Sequence, residues 1–338
     1  MKVNRVKLLN VLQAMKPAIA SKEILEQSTH ICFDGDIVRA YNDSIAITAE
    51  FETGIKGTIS ALQLISLLDK IPTKKVKLEF NKENNMLGII TKNIKAAIKL
   101  ETEIKLPILD LSKLKKWQFL PKDFCSALSF AIFSASQNMG QLELTGIYIE
   151  EKEVISCDNF RATKVRLKEK IESPLLIPSL AAIQLIKYNP IEYICQDTWL
   201  HFKCKDNIIF SCRTIEGKYP IESILKLFKK SGKKINLPVH FERVIDRIQV
   251  LVDPDFEQDK VISLCFTQNQ LICKGEGGFG WVEETIDLEY QDKEIKVQVH
   301  PQFLIEILKH LKEIDINESL IYFKGENFEH VISTVSQK

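Results

Sequence analysis

One stretch near the middle of the chain decides the fold, and it reads Leu144-Thr-Gly-Ile-Tyr-Ile-Glu-Glu-Lys-Glu-Val-Ile-Ser-Cys-Asp-Asn-Phe-Arg-Ala-Thr-Lys-Val-Arg-Leu167. β-forming residues occupy 147–149 and 154–155, and four charged residues separate them. This pattern predicts a strand, a turn and a second strand. A helical pattern precedes the stretch over residues 121–136, and a short strand leading into another helix follows it over residues 174–187. The unit is therefore predicted to run helix, strands, helix, strands.

Both helices of this unit recur before and after it, at a spacing of about 116 residues from Leu8 to Phe124 and again to Phe241. Apolar residues on one face of the first helix are Leu8, Leu12 and Met15, then Phe124, Leu128, Ala131 and Ile132, then Phe241, Val244, Ile245 and Ile248. The second helix repeats as Ile65, Leu67 and Leu68, then Ile183, Leu185 and Ile186, then Ile305, Ile307 and Leu308. We therefore predict an α+β protein with three copies of one domain, at residues 1–116, 117–231 and 232–338.

Composition and charge fit this division. The 338 residues are 45% hydrophobic and 27% charged, which is ordinary for a globular protein of more than one domain. The net charge is +1, but the three domains carry +6, +2 and −7 in chain order. Either the surface charge drifts along the chain, or the basic first domain and the acidic third domain meet.

The sequence also predicts a location in the cytoplasm and a reduced state. Residues 1–7 carry charges where a signal peptide needs apolar residues, and no run approaches the ~18 apolar residues of a membrane span. The eight cysteines form no C-x-x-C pair, and most lie within apolar patterns. Buried free thiols are therefore expected, rather than disulfides or a zinc site.

No motif in the sequence requires catalysis, a cofactor or a metal. The run Gly275-Glu-Gly-Gly-Phe-Gly280 matches the dinucleotide fingerprint G-x-G-x-x-G, but a strand pattern follows it, so no helix N-terminus is available for a pyrophosphate. We interpret this run as a hairpin turn. The six histidines form no metal-ligand cluster, and the sequence contains no phosphate-binding loop, nucleophile elbow or recurrent carboxylate pair.

Four segments resemble the bacterial DNA polymerase III beta subunit, the sliding clamp family. They are Leu144-Thr-Gly146, Ser156-Cys-Asp-Asn-Phe-Arg161, Leu176-Ile-Pro178 and Ile215-Glu-Gly-Lys-Tyr-Pro220, of which the last is the most specific. The length and the threefold repeat are similar to that family from end to end.

The resemblance implies three domains of one fold, each with two helices on the inner face of a ring and sheets outside. Two chains would join head to tail, domain one against domain three. The homodimer would encircle double-stranded DNA without reading its sequence, and would bind a DNA polymerase and a clamp loader.

Positions on helices of such a ring would touch phosphates through long basic side chains. These candidate DNA-binding residues are Lys16, Lys22, Lys187, Arg243, Arg247, Lys309 and Lys312. Each of them could instead be an ordinary solvated residue on a helix. Asp246 and Glu306 lie nearby and weaken the positive field, so the expected direct affinity for DNA is low.

The family binds short partner peptides beside the central turn, between domains two and three. By resemblance, this peptide pocket would contain Leu144, Cys157, Asn159, Phe160, Arg161, Ala162, Val331, Ser333 and Val335. The chain departs from the family here: Asn159-Phe160 replaces a Gly-His pair, Ala162 replaces a leucine, and the final residues lack the family's two methionines. These changes fall on residues that would contact the partner and leave the fold pattern intact.

Two other interpretations remain open at this stage. The chain could be a clamp-fold interaction protein that binds or inhibits the replication machinery as a monomer. A nucleic-acid enzyme would need a clustered acidic metal site, which the sequence does not indicate.

Overall fold

The structure of the chain is a computed structural model that describes residues 1–229, 232–252, 260–311 and 313–334. Contacts group the chain into two compact units. The first unit comprises Met1–Cys125 and Ile177–Glu216, and the second comprises Ser126–Leu176 and Gly217–Lys338. The sequence therefore crosses from one unit to the other three times.

Helices are few and short. The α-helices of the described residues are α1 (Arg5–Ala14), α2 (Ala61–Lys70), α3 (Phe124–Ala131), α4 (Ser179–Leu185), α5 (Ile221–Leu227), α6 (Phe241–Ile248) and α7 (Pro301–Leu308). Sequence capping signals explain several ends. Asn4 precedes α1 and its Oδ1 accepts from the N–H groups of Val6 and Lys7, and Pro301 occupies the first turn of α7.

The first unit contains two antiparallel sheets. The smaller sheet consists of β1 (Lys2–Asn4), β4 (Lys75–Asn81), β5 (Met86–Ile90) and β6 (Lys95–Lys99), in the order β1-β4-β5-β6. The larger sheet consists of β2 (His30–Tyr41), β3 (Ile45–Ser60), β7 (Gln118–Phe119), β12 (Pro190–Gln196), β13 (Trp199–Cys204) and β14 (Ile208–Arg213), in the order β2-β3-β14-β13-β12-β7. The pairing of β3 with β14 joins strands from the first and second predicted domains.

The second unit also contains two sheets. One has eight strands, β8 (Gly146–Glu150), β9 (Glu153–Cys157), β10 (Arg161–Arg166), β11 (Leu175–Pro178), β15 (Lys233–Asn236), β20 (Glu313–Ile316), β21 (Leu320–Lys324) and β22 (Phe328–Ser333), in the order β11-β8-β9-β10-β22-β21-β20-β15. The other consists of β16 (Ile262–Thr267), β17 (Gln270–Gly277), β18 (Gly280–Asp287) and β19 (Ile295–Val299), in the order β18-β17-β16-β19. The antiparallel pairing of β10 with β22 joins strands from the second and third predicted domains.

Helix pairs bury the apolar faces that the sequence predicts. In the first unit α1 contacts α2 through faces that include the fully buried Leu12 and Leu68, and in the second unit α6 contacts α7 through faces that include Ile248 and Ile307. Ile183 of α4 is an exception, because 38% of it is exposed. Burial of a leucine or isoleucine side chain stabilises the fold by roughly 1.5–3 kcal/mol.

Two local predictions have opposite outcomes. The glycine run at 275–280 is a hairpin turn as predicted, because β17 and β18 pair up to Gly277 opposite Gly280. The turn-forming residues Asp34-Gly35-Asp36 predict a reversal between two strands, and this prediction is wrong, because β2 continues through them as one strand. Gly35 has a φ of +69° and the register with β3 shifts between Gly35 and Ile37, so the strand bulges without reversing.

Candidate binding groove and basic helix positions

The turn between β9 and β10 is fixed by one carboxylate. Asp158 Oδ1 accepts hydrogen bonds from the backbone N–H groups of Phe160, at 3.0 Å, and Arg161, at 2.9 Å. Its Oδ2 accepts from Arg161 Nε at 3.0 Å. This is the local bonding by which aspartate stabilises a tight turn. As a result, Asn159 and Phe160 are held at the surface, and Phe160 is 45% exposed.

Arg161 connects this turn to helix α7. Its guanidinium forms an ion pair with Glu306 and lies over the ring of Phe303, 4.1 Å from the ring centroid. The ring of Phe133 is 5.6 Å away. The arginine side chain is only 11% exposed, so these charge and cation–π contacts are poorly screened by water.

A surface groove of about 690 Å³ follows from this arrangement. Three segments line it: residues 135–139, residues 158–161, and the first turns of α7 with the preceding His300. The ring of His300 stacks on Phe303 at a centroid distance of 4.4 Å, and the ring of Phe160 lies 6.3 Å from Phe303. The groove therefore combines aromatic side chains with the carboxylates of Asp158 and Glu306, which suits a short extended peptide with apolar anchors.

The structure places the predicted pocket residues in two layers. Asn159, Phe160 and Arg161 line the groove. Leu144, Cys157, Ala162 and Val331 are buried and do not line it, because Ala162 pairs with Cys157 on one side and with Val331 on the other inside the sheet. Ser333 is exposed, and its N–H donates to the carbonyl of Phe160 at 2.7 Å. Val335 lies outside the described residues.

A row of buried, hydrogen-bonded polar side chains lies next to the groove. Ser134 Oγ is 2.6 Å from Thr163 Oγ1, which is 2.9 Å from Nδ1 of His330. His330 is fully buried, and its ring contacts those of Phe133 and Phe323. Burial, together with the positive charge of Arg161, lowers the pKa of His330 to about 3. The imidazole is therefore neutral near pH 7 and acts as a hydrogen-bonding core residue.

The sequence interpretation missed the α7 side of the groove, namely His300, Phe303 and Glu306. Their spacing of three residues is the one available signal, because it places them on one helix face. Nothing in the sequence connects that face to a turn about 140 residues earlier.

The predicted basic positions that the structure describes are exposed, but they do not all lie on helices. Lys16 and Lys187 lie in short 3₁₀ helices, Lys309 follows the last residue of α7, and Arg243 lies on α6. Lys22 was expected on a helix, but it lies in the irregular segment before β2, because Pro17 and the bends after it end the helical region.

The remaining predicted DNA contacts are weaker or lie outside the description. Arg247 forms a bidentate ion pair with Glu284, with N–O distances of 2.9 and 2.6 Å, so much of its charge is already neutralised. Lys312 lies outside the described residues.

Other sites are absent from the part of the chain that the structure describes. No group of three or more His, Cys, Asp or Glu residues there could hold a metal ion. No helix among the described residues is long and apolar enough to cross a membrane.

Solved structures share this fold along the whole chain. A DnaN sliding clamp (DNA polymerase III subunit beta) from Bartonella birtlesii, bound to griselimycin, has a TM-score of 0.87 at 15% identity and covers 100% of this chain and 99% of its own. The DNA polymerase III subunit beta from Pseudomonas aeruginosa has a TM-score of 0.86 at 12% identity, with both chains covered completely. The DNA polymerase sliding clamp from Bacillus subtilis has a TM-score of 0.85 at 18% identity, over 100% and 99% of the two chains.

Sequence relatives agree with the fold. The beta sliding clamp of Rickettsia bellii is 24% identical over 293 residues, which are 79% of this chain and 76% of the relative. The chain is therefore similar to the beta sliding clamp family in both sequence and fold. A second clamp, from Rickettsia felis, is 25% identical over 56% of both chains. No model of a known protein family matches the sequence.

Compared with the pattern of the family that the chain resembles, the groove differs in its central turn. The bulky Phe160 occupies the position where the family resemblance places a histidine, and it adds an apolar surface beside Phe303. The turn is nevertheless held firmly by Asp158 and Arg161. The turn is therefore well ordered by its own side chains, and Phe160 enlarges the aromatic part of the groove.

Proposed function

We propose that this chain is a DNA sliding clamp, a processivity factor without catalytic activity of its own. Two copies would close into a ring around duplex DNA and tether a replicative polymerase. The observation that carries the proposal is the full-length correspondence with structures of sliding clamps, together with sequence relatives of the same name.

The three-domain division at 1–116, 117–231 and 232–338 is part of this proposal. Helix pairs α1/α2 and α6/α7 support it, since each occurs at the same place in the first and third sequence repeats. Successive domains would be joined by strand pairing: β3 with β14, and β10 with β22. The two compact units do not coincide with the three domains, because these shared sheets cross the sequence boundaries.

Ring closure would use the same kind of pairing between chains. β6 is an edge strand of the first unit's small sheet, and β18 is an edge strand of the second unit's small sheet. An exposed edge strand presents unpaired N–H and C=O groups to a partner strand. Lys95 and Lys99 are exposed on β6, and Glu283 and Asp287 are exposed on β18. The two edges are therefore complementary in charge, which would orient a head-to-tail dimer.

DNA would pass along the helices. Exposed Lys16, Lys187, Arg243 and Lys309 would contact phosphates, with Lys22, Arg247 and Lys312 as the remaining candidates. These contacts would be few and independent of sequence, so retention on DNA would depend on the closed ring more than on affinity.

The groove would receive a short motif of the polymerase or clamp loader. The exposed Phe160, the half-buried Phe303 and the ion-paired Arg161 all line the groove and support a peptide site in the second unit.

The decisive experiment compares retention on two forms of the same DNA. The protein is assembled on a nicked circular plasmid with its clamp loader, freed from unbound protein in high salt, and half of the sample is then linearised. A clamp stays on the circle and leaves the linear form. Equal retention on both forms would exclude encirclement.

A second measurement addresses the monomeric inhibitor. Sedimentation at micromolar concentration in low salt should give a dimer. A strictly monomeric protein would favour the alternative, a clamp-fold protein that binds the replication machinery without encircling DNA.

A further inference from the structure

One face of the sheet β1-β4-β5-β6 is exposed and strongly basic. Alternation along the strands buries Val3, Val76, Leu78, Leu87 and Ile89 on the other face. The charged residues on the exposed face are five lysines and one glutamate: Lys2, Lys75, Lys77, Lys95, Lys99 and Glu79. The five lysines are called the basic face below.

The strand register sets like charges against each other. Lys2 lies directly opposite Lys77, and Lys77 lies opposite Ile90, which in turn lies opposite Lys95. Three lysines therefore follow one line across the sheet. Like charges on directly opposite residues destabilise an antiparallel pair, and neutral polar residues would solvate the face equally well. Folding alone thus does not account for this arrangement.

Little within the chain neutralises the basic face. Lys77 contacts the Glu79 carboxylate, and this hydrogen bond lowers the pKa of Glu79. Among the described residues, the other four lysines have no ion pair. The corresponding small sheet of the second unit differs, because its Lys274 pairs with Glu276 at 2.6 Å and its Lys296 pairs with Glu294 at 2.9 Å.

Uncharged residues run along the middle of the basic face. The central strand β5 contributes the uncharged Met86, Gly88 and Ile90 between the lysines of β4 and those of β6. Adjacent strands lie about 4.8 Å apart, so the lysines of β4 and those of β6 are about 10 Å apart. Gly88 lies opposite Ala97, so the side chains at this point of the basic face are small. A single sugar–phosphate strand can lie along the basic face. In the proposed dimer Lys95 and Lys99 would also face the acidic edge strand β18 of a second copy, so the contacts that do not depend on the oligomer are those of Lys2, Lys75 and Lys77.

We propose that the basic face binds the sugar–phosphate backbone of DNA, as a contact separate from the helix positions described above. The face carries no aromatic side chain, so bases would not stack on it and the sequence would not be read. The same lack of aromatic anchors disfavours an acidic protein segment, because protein interfaces depend on such anchors. The binding requires only this sheet and does not require a closed ring.

The test uses fluorescence anisotropy with a short single-stranded oligonucleotide, a duplex of the same length and a range of salt concentrations. The variant is Lys2→Gln with Lys75→Gln, because these residues lie on β1 and β4, away from the edge strand β6. The matched control is Lys274→Gln with Lys296→Gln on the small sheet of the second unit. Loss of two phosphate contacts should reduce the slope of log K against log salt by about 1.4 on the single strand and about 1.8 on the duplex. The control should leave both slopes unchanged.

Three outcomes would overturn the proposal: unchanged slopes in the Lys2/Lys75 variant, an equal loss in the control, or tighter binding of a glutamate-rich peptide of equal charge than of DNA. Sedimentation of the same variant should show the wild-type oligomer. A short linear DNA cannot be retained by an encircling ring, so this anisotropy test is independent of the retention experiment on circular plasmid. Failure of either experiment leaves the result of the other unchanged.

Discussion

The guanidinium of Arg161 lies 4.1 Å from the ring centroid of Phe303 while its Nε donates to Asp158 at 3.0 Å. This contact fastens the β9–β10 turn to helix α7 within the second unit. A cation–π contact of a partly desolvated arginine contributes roughly 1–2 kcal/mol. The groove between the two segments is therefore formed before any ligand arrives, which reduces the ordering that binding would require.

The first prediction concerns Phe160. We expect a peptide from the cognate polymerase to bind with a Kd of roughly micromolar, as short segments that become ordered on binding often do. The generic bacterial clamp-binding peptide should bind more weakly, because Phe160 makes the apolar surface bulkier. Phe160→Ala should abolish most of the binding of the cognate peptide, measured by titration calorimetry.

Phe119→Ala is the control for that variant, since Phe119 is also an exposed phenylalanine but lies in the first unit. It should bind the peptide like the wild type. Thermal unfolding and sedimentation should be unchanged in both variants. Undiminished binding to Phe160→Ala would mean that the peptide site lies elsewhere.

The second prediction concerns the edge strands β6 and β18. Glu283→Lys with Asp287→Lys should weaken the dimer, and so should Lys95→Glu with Lys99→Glu, because each pair of changes sets like charges against each other. Combining all four should restore part of the affinity. Analytical ultracentrifugation over a salt series measures this, and the wild-type dimer should weaken moderately as salt screens the charges beyond about 8 Å. Additive losses in the combined variant would argue against contact between these edges.

The third prediction compares two arginines on α6. Arg243 is exposed and has no ion pair among the described residues, whereas Arg247 is held by Glu284. Arg243→Ala should therefore reduce the loading of the clamp on circular DNA. The salt dependence of that loading should decrease by the amount expected for about one phosphate contact. Arg247→Ala should change loading less, because its charge is already paired. If Arg247→Ala proves the more harmful for loading, the ion pair with Glu284 must open on DNA.

The fourth prediction concerns acid stability. The pKa of His330 is about 3 in the folded chain and about 6.5 in the unfolded chain, so between these values only the unfolded chain takes up the proton. Well above pH ~6.5 the imidazole is neutral in both states, so it does not affect the free energy of unfolding. Below that pH the free energy of unfolding decreases as the pH falls toward 3. At about pH 5 this one residue should cost roughly 2 kcal/mol of unfolding free energy relative to neutral pH.

Urea unfolding at both pH values measures the effect, with His330→Gln as the comparison. The variant should lose less stability on acidification than the wild type, whatever its stability at neutral pH. Equal losses in the two proteins would show that His330 is not the titrating group.

The extent to which sequence indicates the structure depends on distance along the chain. Helix periodicity is a local signal, so the second helix of the first repeat could be predicted from Ile65, Leu67 and Leu68, which lie on α2. The groove required a contact between Arg161 and Phe303, which no local pattern contains. The error at Gly35 has the same origin, because whether a glycine reverses a strand or only bulges it depends on the partner strand, here β3.

The pairing of β10 with β22 has a consequence for synthesis on the ribosome. Residues 167–327 separate the two strands. At a synthesis rate of about 5–20 residues per second, β22 is therefore made roughly 10–30 s after β10. During that interval the three-stranded meander β8-β9-β10 has an unpaired edge at β10, which carries the apolar Ala162 and Val165. Residues 177–216 are made in the same interval and can complete the first unit. Order of emergence thus makes the nascent second unit the part of the chain most exposed to misassembly and to chaperones, and a stalled ribosome would display this edge for as long as the stall lasts.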